Sequence, residues 1–336
     1  MLILLILLIL NICLIVFFNK FSKLINLFDN PDNIRKLHKK SIASIGGFLI
    51  FLNLFIYFIF EQYEYFYLNI ISPGFNNTDF IIFFIFSAFF FIIGIVDDQL
   101  NLNANLKLIL FSLIIFILLL LSENLLLTYL KFSFLLNPIN INFIAFPFTI
   151  LCILLYLNAF NMFDGINLQS SFYSINIFLI FILKSLFLDI SLVMILSLLF
   201  FSYLNFKNKC FLGNNGSLLI AFVISYLFIK SQSTDNPIFA DEIFLAMQIP
   251  GLDLLRLAIQ RTFNKKHPFH PDRNHIHHLL LKKLGYIKTL LIVSSIIIIP
   301  NYLSILYGNT IFYIILTLFI YGFIIFKFNN KIRYFK

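Results

Sequence analysis

The stretch from Asp253 to Gly285, DLLRLAIQRTFNKKHPFHPDRNHIHHLLLKKLG, holds five of the six histidines (His267, His270, His275, His277, His278). It also holds seven Lys/Arg: Arg256, Arg261, Lys265, Lys266, Arg273, Lys282 and Lys283. Imidazole and positive charge gathered in the longest polar interval of an apolar chain suit the handling of an anion at a bilayer surface. The lysines alone would serve equally well as loop charges that set topology. Topology has no need of imidazole.

Carboxylates and amides form the other chemical groups. GIVDDQL places Asp97 and Asp98 at the end of an apolar run without an adjacent basic residue. Two neighbouring carboxylates repel and need cations or donors. On a helix they diverge by about 100°, so one would bind metal while the other orients substrate. Lys107, nine residues on, would contact phosphate or lay its stem along the membrane. In NAFNMFDGINL, Asn158, Asn161, Asp164 and Asn167 recur every third residue, which predicts a polar stripe on one helical face. Such a row suits a polar ligand or oxygen ligation of Mg²⁺. FLGNNGS sets Asn214, Asn215, Gly216 and Ser217 at a helix start, where backbone N–H groups face an anion; a plain interfacial turn would read the same way. RKLHKKSIASIGGF puts Arg35, Lys36 and His38 before Gly46-Gly47, a pair that lets backbone or headgroup approach closely. A basic stop before a helix accounts for that stretch equally.

These groups need a frame, and composition names it. Of 336 residues 61% are hydrophobic and 12% charged, with a mean hydropathy of +0.97. That is the composition of an all-α polytopic membrane protein. Apolar runs of about 20 residues predict eleven transmembrane helices at roughly 1–19, 42–60, 80–96, 106–122, 143–160, 168–183, 186–204, 216–230, 238–253, 287–304 and 309–326. The first lacks a basic lead and a small-residue cleavage site, and Lys20 and Lys23 follow it; it is expected to be an uncleaved anchor with its N-terminus outside. Eleven spans then leave the C-terminus in the cytoplasm. Only Lys131, Lys184 and Lys230 of the 24 Lys and Arg fall on the outer side, the bias that orients helical membrane proteins. Residues 1–336 are expected to form a single membrane domain with a cytoplasmic histidine loop at 254–286. Cys13, Cys152 and Cys210 have no CxxC spacing, which argues against a disulfide framework or a thiolate metal site. No soluble domain or nucleic-acid motif is visible, and topology accounts for the pI of 9.3.

By this topology all five polar clusters lie on the cytoplasmic face. A secondary transporter would place them near the midplane, where this chain is nearly all Leu, Ile and Phe. The pattern predicts an enzyme with one cytosolic and one membrane substrate.

The order RKxH…GG, GxxDD, NxxNxxDGxN, FLGxxGS and PxxD…PDRxHIHH resembles the polyprenyl-phosphate N-acetylhexosamine-1-phosphate transferases, glycosyltransferase family 4, across about residues 29–285. HPFHPDRNHIHHLL resembles the undecaprenyl-phosphate GlcNAc-1-phosphate transferase branch, which starts O-antigen, enterobacterial common antigen or teichoic-acid-type glycans. The resemblance implies transfer of N-acetylhexosamine-1-phosphate, GlcNAc-1-phosphate first, from a UDP-sugar to undecaprenyl phosphate, with release of UMP. It implies Mg²⁺, with Mn²⁺ as a substitute. It also implies the bacterial inner (cytoplasmic) membrane and a place in lipopolysaccharide or cell wall biogenesis. The partners are the UDP-N-acetylhexosamine, undecaprenyl phosphate, the lipid bilayer and, as an assembly, a second copy in a homodimer. By resemblance Asp97, Asp98 and Asp164 are catalytic, and Asn161, Asp98 and Asn214 hold metal. His275, His277, His278, Arg273, Asn158, Asn167, Lys107 and His38 bind substrate. Three positions depart from the family's pattern: Asn214 where an Asp metal ligand is usual, Ala43 where proline precedes the glycine pair, and Asn167 where many relatives carry Asp. The alternative is a non-catalytic membrane paralogue that binds prenyl phosphate or a partner protein. Asn214 favours it, whereas retention of Asp97, Asp98, Asp164 and HIHH counts against it.

Overall fold

The computed structural model describes residues 2–31, 40–68, 74–234, 236–268 and 272–328. Helices dominate because in hydrocarbon each backbone N–H and C=O must be paired within its own segment. Among the described residues the helices are α1 (Leu2–Val16), α2 (Phe18–Ile25), α3 (Gly46–Leu68), α4 (Asn77–Leu100), α5 (Ala104–Leu121), α6 (Ala145–Phe163) and α7 (Gln169–Leu183). They continue with α8 (Leu188–Phe206), α9 (Gly213–Ser231), α10 (Ala240–Phe263), α11 (Ile276–Leu284), α12 (Tyr286–Tyr307) and α13 (Thr310–Phe328). Two short antiparallel pairs interrupt them: β1 (Phe28–Asp29) with β2 (Ile42–Ala43), and β3 (Tyr129–Leu130) with β4 (Ile139–Asn140). Local chemistry fixes several helix ends. Asn76 opens α4 by accepting the Asp79 N–H at 2.7 Å, and Asn103 opens α5 through Leu106 at 2.8 Å. Asn101 closes α4 in the left-handed region.

Each of the eleven apolar runs contains a helix, and α2 and α11 are additional. Among the described residues, eight helices are long and apolar enough to cross a bilayer: α3, α4, α5, α6 with its preceding turn, α8, α9, α12 and α13. A ninth span forms only if α1 and α2, bent by 81°, are counted together. The chain is an all-α polytopic membrane protein. Two of the eleven runs fall short of a full span. The 15 residues of α7 rise about 22 Å, less than the roughly 30 Å of a hydrocarbon core. The 24-residue α10 carries Asp241, Glu242, Asp253, Arg256 and Arg261, and charges at that density are costly in lipid.

Packing divides the chain into two compact units. The first comprises Met1–Leu125 and Ser174–Thr234. Its centre is α9, in which Asn215 to Ser231 are all buried, flanked by α3 and α4. A helix enclosed on every side has no face left for polar residues. Glycines permit the enclosure. A methyl group added at Gly47 would come within 2.4 Å of the Gly216 nitrogen, and one at Gly94 within 2.3 Å of the Asn215 Cα. The Gly46-Gly47 pair therefore serves the approach of a neighbouring helix backbone. Phenylalanines fill the remaining contact, Phe51 stacking on Phe91 at 4.3 Å and Phe58 on Phe84 at 4.1 Å between centroids. Lys230 is buried in an ion pair with Asp79.

The second unit comprises Leu126–Tyr173 and Asp235–Lys336. In it α6 packs on α10, α10 on α12 and α13, and α11 on α12 and α13. The buried Tyr156 hydroxyl donates to Tyr173 at 3.2 Å, whose own hydroxyl reaches the Ala246 carbonyl at 3.2 Å. These bonds satisfy two phenols inside an apolar interface.

Candidate active site

In the first unit α4 ends at the acidic pair. Asp97 is buried; its Oδ1 accepts the Leu102 N–H at 3.0 Å and its Oδ2 pairs with Lys107 Nζ at 2.6 Å. The cation missing from the local sequence is supplied by the start of α5. Asp98 points elsewhere, as adjacent helical positions must. Its Oδ1 accepts the Asn214 N–H at 2.9 Å, and its Oδ2 accepts the Asn215 N–H at 3.1 Å together with the Asn215 side-chain amide. These are first-turn amides of α9, whose own N-cap residue, Leu212, has no side-chain acceptor. Asp98 therefore caps α9 from another helix, and its charge faces the positive end of the helix dipole. The anion at the FLGNNGS junction is the chain's own carboxylate. Asn215 extends the arrangement by donating to the Ser44 carbonyl at 2.9 Å.

In the second unit the expected stripe of four is cut short. Asn158 and Asn161 lie on α6, but the helix stops at Phe163, Asp164 is its C-cap with ψ 69°, and Asn167 falls in the following turn. Asn158 donates to the Leu154 carbonyl at 2.7 Å; Asp164 accepts the Ser170 hydroxyl at 2.6 Å. The Asn167 carbonyl accepts the Tyr286 hydroxyl at 3.0 Å. The break has a steric reason. A Cβ at Gly165 would lie 2.0 Å from His277 Nε2, so the turn accepts an imidazole where a side chain would otherwise stand. The Gln169 side-chain amide meets His277 Nδ1 at 3.3 Å.

The histidines gather at the start of α11. His275 is the extended N-cap residue, with φ −59° and ψ 150°. Its ring stacks on His277 at 5.4 Å and meets His278 edge-on at 6.3 Å, and His277 meets His278 at 4.3 Å between centroids. Asp253, on α10, organises the group. It accepts His275 Nδ1–H at 2.8 Å, Arg256 Nη2–H at 2.7 Å and the Tyr321 hydroxyl at 2.9 Å, and it receives the Ile276 N–H at 3.2 Å. A second functional helix is thus capped by an aspartate from elsewhere.

Burial holds His277 neutral, well below its ordinary pKa. His278 is pushed down to about 4, first by burial and then by the charges of His275 and Arg273. Because the folded value lies below the unfolded one, stability is complete above about pH 6.5 and falls as pH drops through that window toward 4. The thermal midpoint of detergent-purified protein should therefore fall less on acidification in His278→Gln than in the wild type. Equal loss in both would remove His278 from this account.

Among the described residues no three or more His, Cys, Asp and Glu side chains are grouped to hold a metal. A closed all-protein cage is therefore absent from them.

Residues 80–232 match the profile of glycosyl transferase family 4. A "probable undecaprenyl-phosphate N-acetylglucosaminyl 1-phosphate transferase" of Bacillus subtilis (strain 168) is 32% identical over 199 residues, covering 56% of this chain and 55% of the relative. An undecaprenyl-phosphate alpha-N-acetylglucosaminyl 1-phosphate transferase of Escherichia coli (strain K12) is 31% identical over 138 residues, 38% of each chain. One of that name from Thermotoga maritima is 28% identical over 232 residues, 66% of this chain and 69% of the relative. Over residues 80–232 the chain is thus similar to glycosyl transferase family 4. It spans about half the length of the Bacillus relative and less of the Escherichia one.

The family match contains Asp97, Asp98, Asn158, Asn161, Asp164, Asn167 and Asn214, and ends before Asp253 and α11. Of the expected substrate-binding residues, Lys107 is engaged with Asp97, Arg273 is exposed, and His275 and His277 are buried. His38, with Arg35 and Lys36, lies outside the described residues, as does His270. The sequence reading named Asp253 within PxxD, Arg256 among the basic residues and Asn215 at the FLGNNGS junction, but gave none of them a role in the site; it missed Gln169 and Tyr321. Asp253 carried a signal, a carboxylate at the end of an apolar run whose partner should have been sought. Gln169 and Tyr321 carried none, since amides at turns and tyrosines in apolar helices are common.

Proposed function

We propose that this chain transfers an N-acetylhexosamine-1-phosphate, GlcNAc-1-phosphate first, from a UDP-sugar to undecaprenyl phosphate and releases UMP. Its relatives carry the corresponding names. The observation that carries the reading is the cluster at the start of α11, where three imidazoles meet beside a buried aspartate and a half-buried arginine. Such a group is costly to build inside a membrane protein unless it meets a polar ligand. A phosphate oxygen of the prenyl phosphate attacks the β-phosphorus, the new O–P bond forms, and the bridging P–O bond to UMP breaks. The nucleophile is already anionic near neutral pH, so catalysis rests on neutralising and aligning two anions. His275 and His278, with Arg273, would contact the diphosphate or sugar, while His277 supports the turn after α6. Asp97, Asp98 and Asp164 would order the reacting groups. By the resemblance Asp98, Asn161 and Asn214 are each candidates to ligate Mg²⁺, or Mn²⁺ in its place, which would supply charge neutralisation on phosphate oxygens. The basic loops favour a cytoplasmic active site in a bacterial inner membrane, with the N-terminus outside. The product would enter surface-polysaccharide synthesis, and a homodimer fits a protein of this kind.

Purified protein, undecaprenyl phosphate, Mg²⁺ and a panel of UDP-sugars should yield UMP with at least one N-acetylhexosamine donor. No UMP from any donor would favour the non-catalytic paralogue. Asn214 supplies a finer test, because an amide oxygen attracts a hard cation less than a carboxylate does. Asn214→Asp should lower the Mg²⁺ concentration giving half-maximal rate by several-fold, with the maximal rate free to fall as surplus charge repels diphosphate. An unchanged midpoint would mean that residue 214 does not touch the metal.

A further inference from the structure

The final helix, α13, lies beyond the family match and reads as a plain membrane anchor: 19 residues, mostly Ile, Leu and Phe. One of its side chains is not free to be that. Tyr321 is 7% exposed, and its hydroxyl does two things at once. It donates to Asp253 Oδ1 at 2.9 Å and accepts from Arg256 Nε at 2.9 Å. Arg256 Nη2 also grips Asp253 Oδ1 at 2.7 Å and the Asn274 carbonyl at 2.7 Å, the residue before His275. The other Asp253 oxygen is left for His275 Nδ1 at 2.8 Å.

We propose that Tyr321 is a positioning residue that, with Arg256, fixes the Asp253 carboxylate so that His275 carries its Nδ1 proton toward Asp253 and presents Nε2 to a phosphate-bearing substrate. An ionised carboxylate accepts only, so the nitrogen facing it must bear a proton. The two imidazole nitrogens then have separate tasks, and the carboxylate decides which is which. Without the Tyr321 hydroxyl, Arg256 Nε loses its acceptor and Asp253 loses one of the donors holding Oδ1. The carboxylate can then rotate and exchange the oxygen that His275 uses. This role rests on the proposed transfer for its substrate, but the His275 geometry does not. The last helix would then serve the site as well as the membrane.

Tyr321→Phe keeps ring and volume and removes only the hydroxyl, so two readouts suffice. The first is ¹⁵N NMR of histidine-labelled protein, with the His275 signal assigned by its loss in His275→Gln. Wild type should show a protonated, strongly hydrogen-bonded Nδ1 that weakens or mixes tautomers in Tyr321→Phe. The second is UMP release, where kcat should fall about tenfold with KM for the sugar nucleotide within about twofold. A merely structural role would change the folded fraction and leave both the His275 signal and the kcat of folded protein unchanged, and that result would overturn the proposal. If the wild type releases no UMP, the transferase reading fails while the ¹⁵N spectra still decide the positioning role. Identical His275 signals in the two proteins would overturn it with or without turnover.

Discussion

Asp98→Asn should cut UMP release by at least about a hundredfold and also lower the stability of the protein. The second effect follows from the cap that Asp98 provides. Its two oxygens receive the Asn214 N–H, the Asn215 N–H and the Asn215 side-chain amide. An asparagine keeps one acceptor and turns an NH₂ toward donors that already point at it. An orphaned buried donor costs about 1–3 kcal/mol, and removing the charge from the helix N-terminus adds roughly 0.3–1 kcal/mol. Exchange of the carboxylate for an amide is therefore not neutral here, although the two have the same shape. Activity has to be measured on the monodisperse, folded fraction, with the thermal midpoint recorded beside it. A folded variant that turns over at the wild-type rate would make Asp98 a cap alone. A variant that loses turnover with an unshifted midpoint would mean that the α9 amides find another partner. Asp97→Asn is a useful contrast, because its partners are the Leu102 N–H and Lys107 rather than a helix terminus.

Asp253→Asn should destabilise the protein by about 3 kcal/mol, the range for breaking one side of a buried ion pair. Asp253 is 3% exposed, its partner His275 is buried and Arg256 is half-buried. The start of α11 should loosen with it, because the Ile276 N–H loses its acceptor. Pairing the change with Arg256→Gln should restore part of the stability, since no buried cation then lacks a partner. Turnover should not return in the double variant, because His275 would still lack its carboxylate. Chemical unfolding in a defined detergent gives the energies. A single-variant loss below about 1 kcal/mol would mean that Arg256 and His275 are not held by this charge.

Helix positions were legible because they follow from local composition. Unbroken apolar runs must pair their own backbone groups in lipid, whereas the caps Asn76 and Asn103 lie a few residues before the expected starts at 80 and 106. Placing Asp97, Asp98, Asp164 and the HIHH group as candidates was also local, since charge is rare in such a chain. The stripe from Asn158 to Asn167 failed for a reason that periodicity does not contain: His277, more than a hundred residues away in sequence, needs the room that Gly165 leaves.

Local pattern is enough to give the class of protein, the stretches that become helix and the few residues with chemistry to offer. The partners those residues serve emerge only from how the helices pack. Asp98 closes the start of α9, Lys107 answers Asp97, and Asp253 joins α10, α11 and α13 around His275. The physical reason is the same in each case. Backbone pairing and hydrocarbon burial act over a few residues and are written in local pattern. A buried charge must instead find its counter-charge or donors wherever the packed helices bring them.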